Sequence, residues 1–155
     1  MIKTLRLLHI LSYLLITGQL MYYFFVMGDA LKMSGIGNFV EQRKIVDPLV
    51  QQRHIPVYYA CLALSVLVLI VLVKNWNPVL FFTALIALLC LGADILIALR
   101  ENAPINSFIN KHHIGEEGID WEGMRSRWIM LIKIRGAISM AGFISLLIGL
   151  IWESK

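Results

Sequence analysis

Charge is scarce in this sequence: Asp, Glu, Lys and Arg make up 15% of 155 residues, whereas 59% are hydrophobic. No water-soluble domain of this size needs so much apolar surface, which excludes water as the solvent for most of the chain. Cysteine is nearly absent. Cys61 and Cys90 both lie inside apolar runs with no C-x-x-C pattern, so they carry no metal or redox signature and are read as packing residues. Also missing are Ser-x-x-Lys, G-x-S-x-G, a phosphate-cradling glycine loop and His-Glu-x-x-His, which removes support for standard hydrolases and nucleotide-driven pumps. No repeat or broken span is evident, which leaves little machinery for alternating access. The net charge of +4 is too small and too dispersed for a nucleic-acid footprint, and it suits contact with anionic lipid.

What the chain does have is four long apolar runs, near residues 5–26, 55–73, 79–99 and 128–152. A spanning helix needs about 20 apolar residues at roughly 1.5 Å each to cross about 30 Å of hydrocarbon, and all four meet that length. Lys3 and Arg6 followed by an apolar run, with Gly28-Asp29-Ala30 beyond it, loosely resemble a secretory signal, but the run is long enough to span and is read as a retained helix. Only Lys74-Asn75-Trp76-Asn77-Pro78 separates the second and third runs, which makes those helices antiparallel neighbours. The expected fold is all-α: one integral membrane domain over residues 1–155, built as a four-transmembrane-helix up-down bundle.

This topology puts both termini and the short second loop on one side, the bare side, and loops 27–54 and 100–127 on the other, the decorated side. Lys3, Arg6, Lys74 and Lys155 mark the bare side, against Lys32, Arg43, Lys44, Arg53, Arg100, Lys111, Arg125, Arg127, Lys133 and Arg135 opposite. By the positive-inside rule the decorated side is cytoplasmic, in what is read as a bacterial inner membrane. Tyr22, Phe25, Tyr58, Tyr59, Trp76 and Trp152 stand where an aromatic belt belongs. In loop one, Asn38 through Glu41 resembles a capping box opening a short amphipathic helix toward Asp47, with Pro48 and Pro56 interrupting or restarting it.

The polar residues inside the spans are the informative ones. His9, Ser12, Ile16, Gln19 and Tyr23 recur at steps of three and four, so one face of the first helix is too polar for lipid. Asp94 lies inside the third run, where a lone carboxylate costs roughly 2.5–3.5 kcal/mol near the bilayer centre, and it must turn inward. Trp121, Arg125, Trp128, Ile132 and Arg135 form a stripe on the fourth helix, with Arg135 below the surface and Asp94 or Glu101 its nearest partner by depth. Such charges either fix packing as an interhelical ion pair or border a ligand cavity; convergence from three helices favours the cavity. His112-His113 with Glu116-Glu117 lacks tetrahedral ligand spacing and is read as a solvated loop. No metal or cofactor is expected.

Beside this stands a resemblance. Asn102-Ala103-Pro104-Ile105-Asn106 followed by Trp121, Trp128 and Arg135 at W-x6-W-x6-R resembles the anthrone oxygenase-like family of small four-helix membrane proteins, whose bacterial members lack an assigned function. Helix order agrees over nearly the whole chain; the specific motifs lie in its second half. The resemblance implies that Asn102, Pro104, Asn106, Trp121, Arg127, Trp128 and Arg135 form a cluster at the decorated face, with Pro104 stiffening an extended stretch and the tryptophans walling a pocket. The chain departs from the pattern at Ile132 and Lys133, where bacterial relatives commonly carry Asn and His. Fungal members oxidise an anthrone with dioxygen, which needs a base and an oxyanion partner. Asp94, Glu101 or His9 could be that base and Arg135 or Arg127 that partner, with Gln19 and Tyr23 completing the substrate wall.

Two functions follow from this reading. One is a cofactor-independent oxygenase acting on a hydrophobic phenolic or quinone-like compound. The other is a non-catalytic lipid- or quinone-binding protein or an accessory subunit of a membrane complex. The expected partners are membrane lipid, a hydrophobic small molecule, and a second copy of the chain or another membrane subunit.

Overall fold

The computed structural model describes residues 2–153, and nearly all of them are helical. Helix α1 (Ile2–Tyr22) continues through a π-helical turn (Tyr23–Met27) into α2 (Gly28–Met33). Ser34 and Gly35 are extended, with ψ of 154° and 151°, and they end that rod. Helix α3 (Ile36–Arg53) leads through His54 into α4 (Ile55–Lys74). Pro56 stands in the first turn of α4, where a missing N–H is harmless. Helix α5 (Pro78–Ile97) starts where the Asn77 side chain accepts the Leu80 N–H at 3.2 Å. It runs through a second π-helical turn (Ala98–Asn102) into α6 (Ala103–Lys111). Gly115 and Gly118, at φ of 101° and 80°, turn the chain back. Helix α7 (Trp121–Glu153) opens with Asp120 accepting the Gly123 N–H at 2.8 Å.

Four helical rods, Ile2–Met33, Ile36–Lys74, Pro78–Lys111 and Trp121–Trp152, are long and apolar enough to cross a membrane. The outer surface agrees with that solvent. Leu15, Leu89 and Ile151 are 61%, 64% and 61% exposed, a degree of apolar exposure that suits hydrocarbon. Inward, α7 lies against α5 and α1, while α4 lies against α1 and α5.

Lipid gives no hydrophobic drive between helices, so close approach and hydrogen bonds hold them. Thr17 Oγ1 meets Ser139 Oγ at 2.8 Å, Ser145 Oγ donates to the Thr83 carbonyl at 3.0 Å, and Tyr13 Oη donates to the Ala87 carbonyl at 3.1 Å. Gly142 lets α7 come this near: a Cβ there would run into the Tyr13 hydroxyl and stand 2.9 Å from Cys90 Cβ.

The decorated end differs from the sequence reading. The short amphipathic helix expected from Asn38 toward Asp47 is an 18-residue helix that runs straight through Pro48. Its inward face, Phe39, Val40, Arg43 and Asp47, mixes apolar with charged residues. Three amide donors, two of them from α6, and the Arg43 guanidinium anchor Asp47, the residue before the proline, and this hold overrides the bias of Pro48 against a helical neighbour. Pro104 lies in the first turn of α6 and not in an extended stretch, because that position requires no N–H. The stretch after the third span, expected as a loop, contains α6, whereas α7 starts at Trp121, inside the long fourth helix expected from near Asp120. Lys155, counted with the bare side, lies outside the described residues.

The packing at Gly142 sets a contrast of sign. Gly142→Ala should lower unfolding stability in detergent by about 1–3 kcal/mol through overpacking. Gly92→Ala, with nothing within 4 Å of its added carbon, should be neutral or stabilising by up to about 1 kcal/mol. Denaturant titration of the two variants beside the parent checks both.

Candidate functional site

The deepest charges belong to one hydrogen-bonded group. Asp94 on α5 is fully buried, and Arg135 on α7 is 9% exposed. Arg135 Nε donates to Asp94 Oδ1 at 2.6 Å, and the Tyr58 hydroxyl donates to Asp94 Oδ2 at 2.8 Å. The same guanidinium reaches Tyr58 Oη through Nη2 at 3.2 Å and Asn102 Oδ1 through Nη1 at 3.3 Å. Both carboxylate oxygens are thus engaged, and the net charge of the pair is zero. This is the condition for keeping ions among apolar side chains.

A second group lies nearer the end of the bundle. Asp47 accepts from Asn106 Nδ2 at 2.7 Å, Asn110 Nδ2 at 3.1 Å and Gln51 Nε2 at 3.1 Å, with Arg43 Nη2 at 3.7 Å. Asn106 in turn accepts the Trp128 indole N–H at 2.9 Å. The Arg43 guanidinium lies 4.4 Å from the Trp128 ring centroid, a cation–π contact, and Tyr23 and Phe39 meet that ring edge-on. Trp128 is therefore fixed on every side.

Between the two groups is a cavity of about 70 Å³ lined by Gln19, Leu20, Tyr23, Arg43, Asp47, Val50, Tyr58, Asn102, Asn106, Trp128, Ile132 and Arg135. It has room for a few waters or one small polar group. Two buried nitrogens on its lining residues, Asn102 Nδ2 and Arg43 Nε, have no hydrogen-bond partner among the described residues. Both π-helical turns contribute to the wall, Tyr23 from one and Asn102 from the other. Such turns cost helix regularity and recur where side chains must be re-aimed.

Asp94 is not on the wall; Tyr58 stands between it and the space. The Tyr58 hydroxyl and the Arg135 guanidinium both line the space and link it to Asp94. The guanidinium of Arg135 and the Asn102 amide offer donors to an oxygen atom there.

The structure gathers Asp94, Arg135, Asn102, Asn106, Trp128, Gln19 and Tyr23, and it leaves the other expected residues elsewhere. Glu101 pairs with Arg127 at 2.5 Å on the outside of the helices. Pro104 is exposed. Trp121 is buried at the start of α7 with its ring 6.2 Å from Phe108, away from the cavity. His9 bonds Ser65 Oγ through Nε2 at 2.8 Å and borders a separate space of about 10 Å³ beside Arg6, enough for one water. That space is about 15 Å down α1 from Gln19.

Tyr58, Arg43 and Asp47 escaped the sequence reading. Tyr58 was assigned to the aromatic belt and Arg43 to topology. Arg43, Asp47 and Gln51 at successive steps of four were the available signal. In the loop, the His112 ring stacks on Phe108 at 3.9 Å, and the His113 N–H donates to Glu116 at 2.6 Å. Among the described residues no three His, Cys, Asp or Glu side chains gather to hold a metal.

No family model, curated protein or solved structure matches this chain.

The Asp94–Arg135 pair should behave as a unit. Asp94→Leu or Arg135→Met alone should each lower stability by about 3–5 kcal/mol, because each leaves an uncompensated buried charge. The double variant should lose less than the sum of the singles. A double-mutant cycle from unfolding in detergent measures the coupling, and strict additivity would contradict the arrangement.

Proposed function

We propose that this protein is a four-helix, up-down component of a bacterial inner membrane that captures the oxygen-bearing edge of a hydrophobic phenolic or quinone-like compound. The observation that carries this reading is the convergence of Arg135, Arg43 and the unpartnered Asn102 Nδ2 on one small cavity beside Trp128. Donors of that kind suit a carbonyl or phenolate oxygen. The space of about 70 Å³ accepts the polar edge, not a ring system, so the rings would lie outside it. The excess of Lys and Arg at this end supports a cytoplasmic orientation for it.

The resemblance to the anthrone oxygenase-like family adds a reaction to the binding. An anthrone would lose a ring C–H proton through Tyr58 to Asp94, the carbanion would react directly with dioxygen, and anthrone plus dioxygen would become anthraquinone plus water. Arg135 and Asn102 would hold the oxyanion as charge develops on it. The competing reading is a quinone- or lipid-binding accessory subunit without turnover. What favours it is that both oxygens of Asp94 already accept hydrogen bonds.

Titrating the detergent-purified protein with 2-methyl-1,4-naphthoquinone should quench tryptophan fluorescence saturably. Asn102→Ala should weaken that binding about tenfold, the loss expected for a buried polar contact. Oxygen uptake with anthrone, one dioxygen per anthrone lost and abolished in Asp94→Asn, supports the oxygenase; saturable binding without uptake supports the accessory subunit. Absence of saturable quenching sinks both.

A further inference from the structure

A second concavity lies on the outside of the bundle, where the π-helical turn and α2 pass α7. It is a groove of about 480 Å³, within the roughly 300–1,000 Å³ of ordinary ligand sites. Its two walls carry the same gradient. On α7, Ser126 stands toward the end of the bundle, and Ile129, Met130, Ile134 and Ala137 follow deeper; on the other wall, Asp29 and Lys32 stand outward and Phe24 deeper. Lys133 joins them: its Nζ meets Asp29 Oδ1 at 2.6 Å, and its stem passes over Gly28, where a Cβ would stand 3.0 Å from Lys133 Cε. The stem so lies on apolar surface while the ammonium reaches the polar end.

A groove that is polar at the membrane surface and apolar below it has the profile of an amphiphile held upright in one leaflet. Its charge selects the head. Two ammonium groups and one carboxylate line it, so one positive charge is left over, matching the single negative charge of a phosphodiester. We propose that this groove binds one anionic glycerophospholipid, its phosphate between Lys32 and Lys133 with the Ser126 hydroxyl donating, and one acyl chain along Phe24, Ile134 and Ala137. The site is separate from the cavity beside Trp128 and stands whether or not that cavity binds a quinone.

Native mass spectrometry of the full chain, released from micelles doped with equal dioleoyl phosphatidylglycerol and dioleoyl phosphatidylethanolamine, tests this. One phosphatidylglycerol should be retained at least fivefold over phosphatidylethanolamine. Lys32→Gln and Lys133→Gln should each lower its occupancy about fivefold, the worth of one lysine at an anionic surface, whereas Lys111→Gln on α6 should leave it unchanged. Equal retention of the two lipids by the parent protein overturns the proposal without reference to any variant. So does retention of phosphatidylglycerol that is the same in Lys32→Gln, Lys133→Gln and Lys111→Gln.

Discussion

A carboxylate held among lipid-facing helices has no water to solvate it, and the position of Asp94 obliges much of the decorated end to be built as it is. Arg135 must lie at the same depth on α7, and Tyr58 must rise from the first turns of α4 to meet the second oxygen. Asn102 must be brought round to the guanidinium, which the π-helical turn at Ala98–Asn102 accomplishes. Three rods are tied at one point by four polar groups. Beyond that point α4, α5 and α7 are held by dispersion, small-residue contacts and single hydrogen bonds such as that from Ser145 to the Thr83 carbonyl.

The outer group around Asp47 does for α3 and α6 what Asp94 does for the spans. Phe39 and Val40 of α3 and Ile109 of α6 join the apolar core, and a carboxylate receiving three amides and facing a guanidinium adds the polar tie between the two helices. Asn106 then transmits that order to Trp128 through the indole N–H. The cavity is the gap between two polar clusters, and each leaves one buried nitrogen beside it without a partner among the described residues, Asn102 Nδ2 in one and Arg43 Nε in the other.

The spans were legible because hydrocarbon thickness fixes the length of an apolar run, and the inward turn of Asp94 and Arg135 was legible because an ion facing lipid is expensive. Helix α3 was harder. Its inward face carries Arg43 and Asp47, so hydrophobic periodicity is weak there, and Pro48 reads locally as a stop. Tyr58 was visible as an aromatic near the interface, but nothing in its own neighbourhood in sequence says that Asp94, 36 residues on, lies opposite its hydroxyl. Glu101 and Arg127 were drawn toward the site by residue type. Their side chains fall on the outer faces of the second π-helical turn and α7, and they meet each other there.

Helix α7 is one unbroken element of 33 residues: its later turns pack by Ser139 and Gly142, and its earlier turns carry Trp128 and Arg135 to the cavity. A stiff beam of this kind has no joint at which the two halves could move apart. When bilayer thickness obliges a spanning helix to lean, the lean is shared along its whole length. The turns that bear Trp128 and Arg135 therefore lean together with those that bear Ser139 and Gly142.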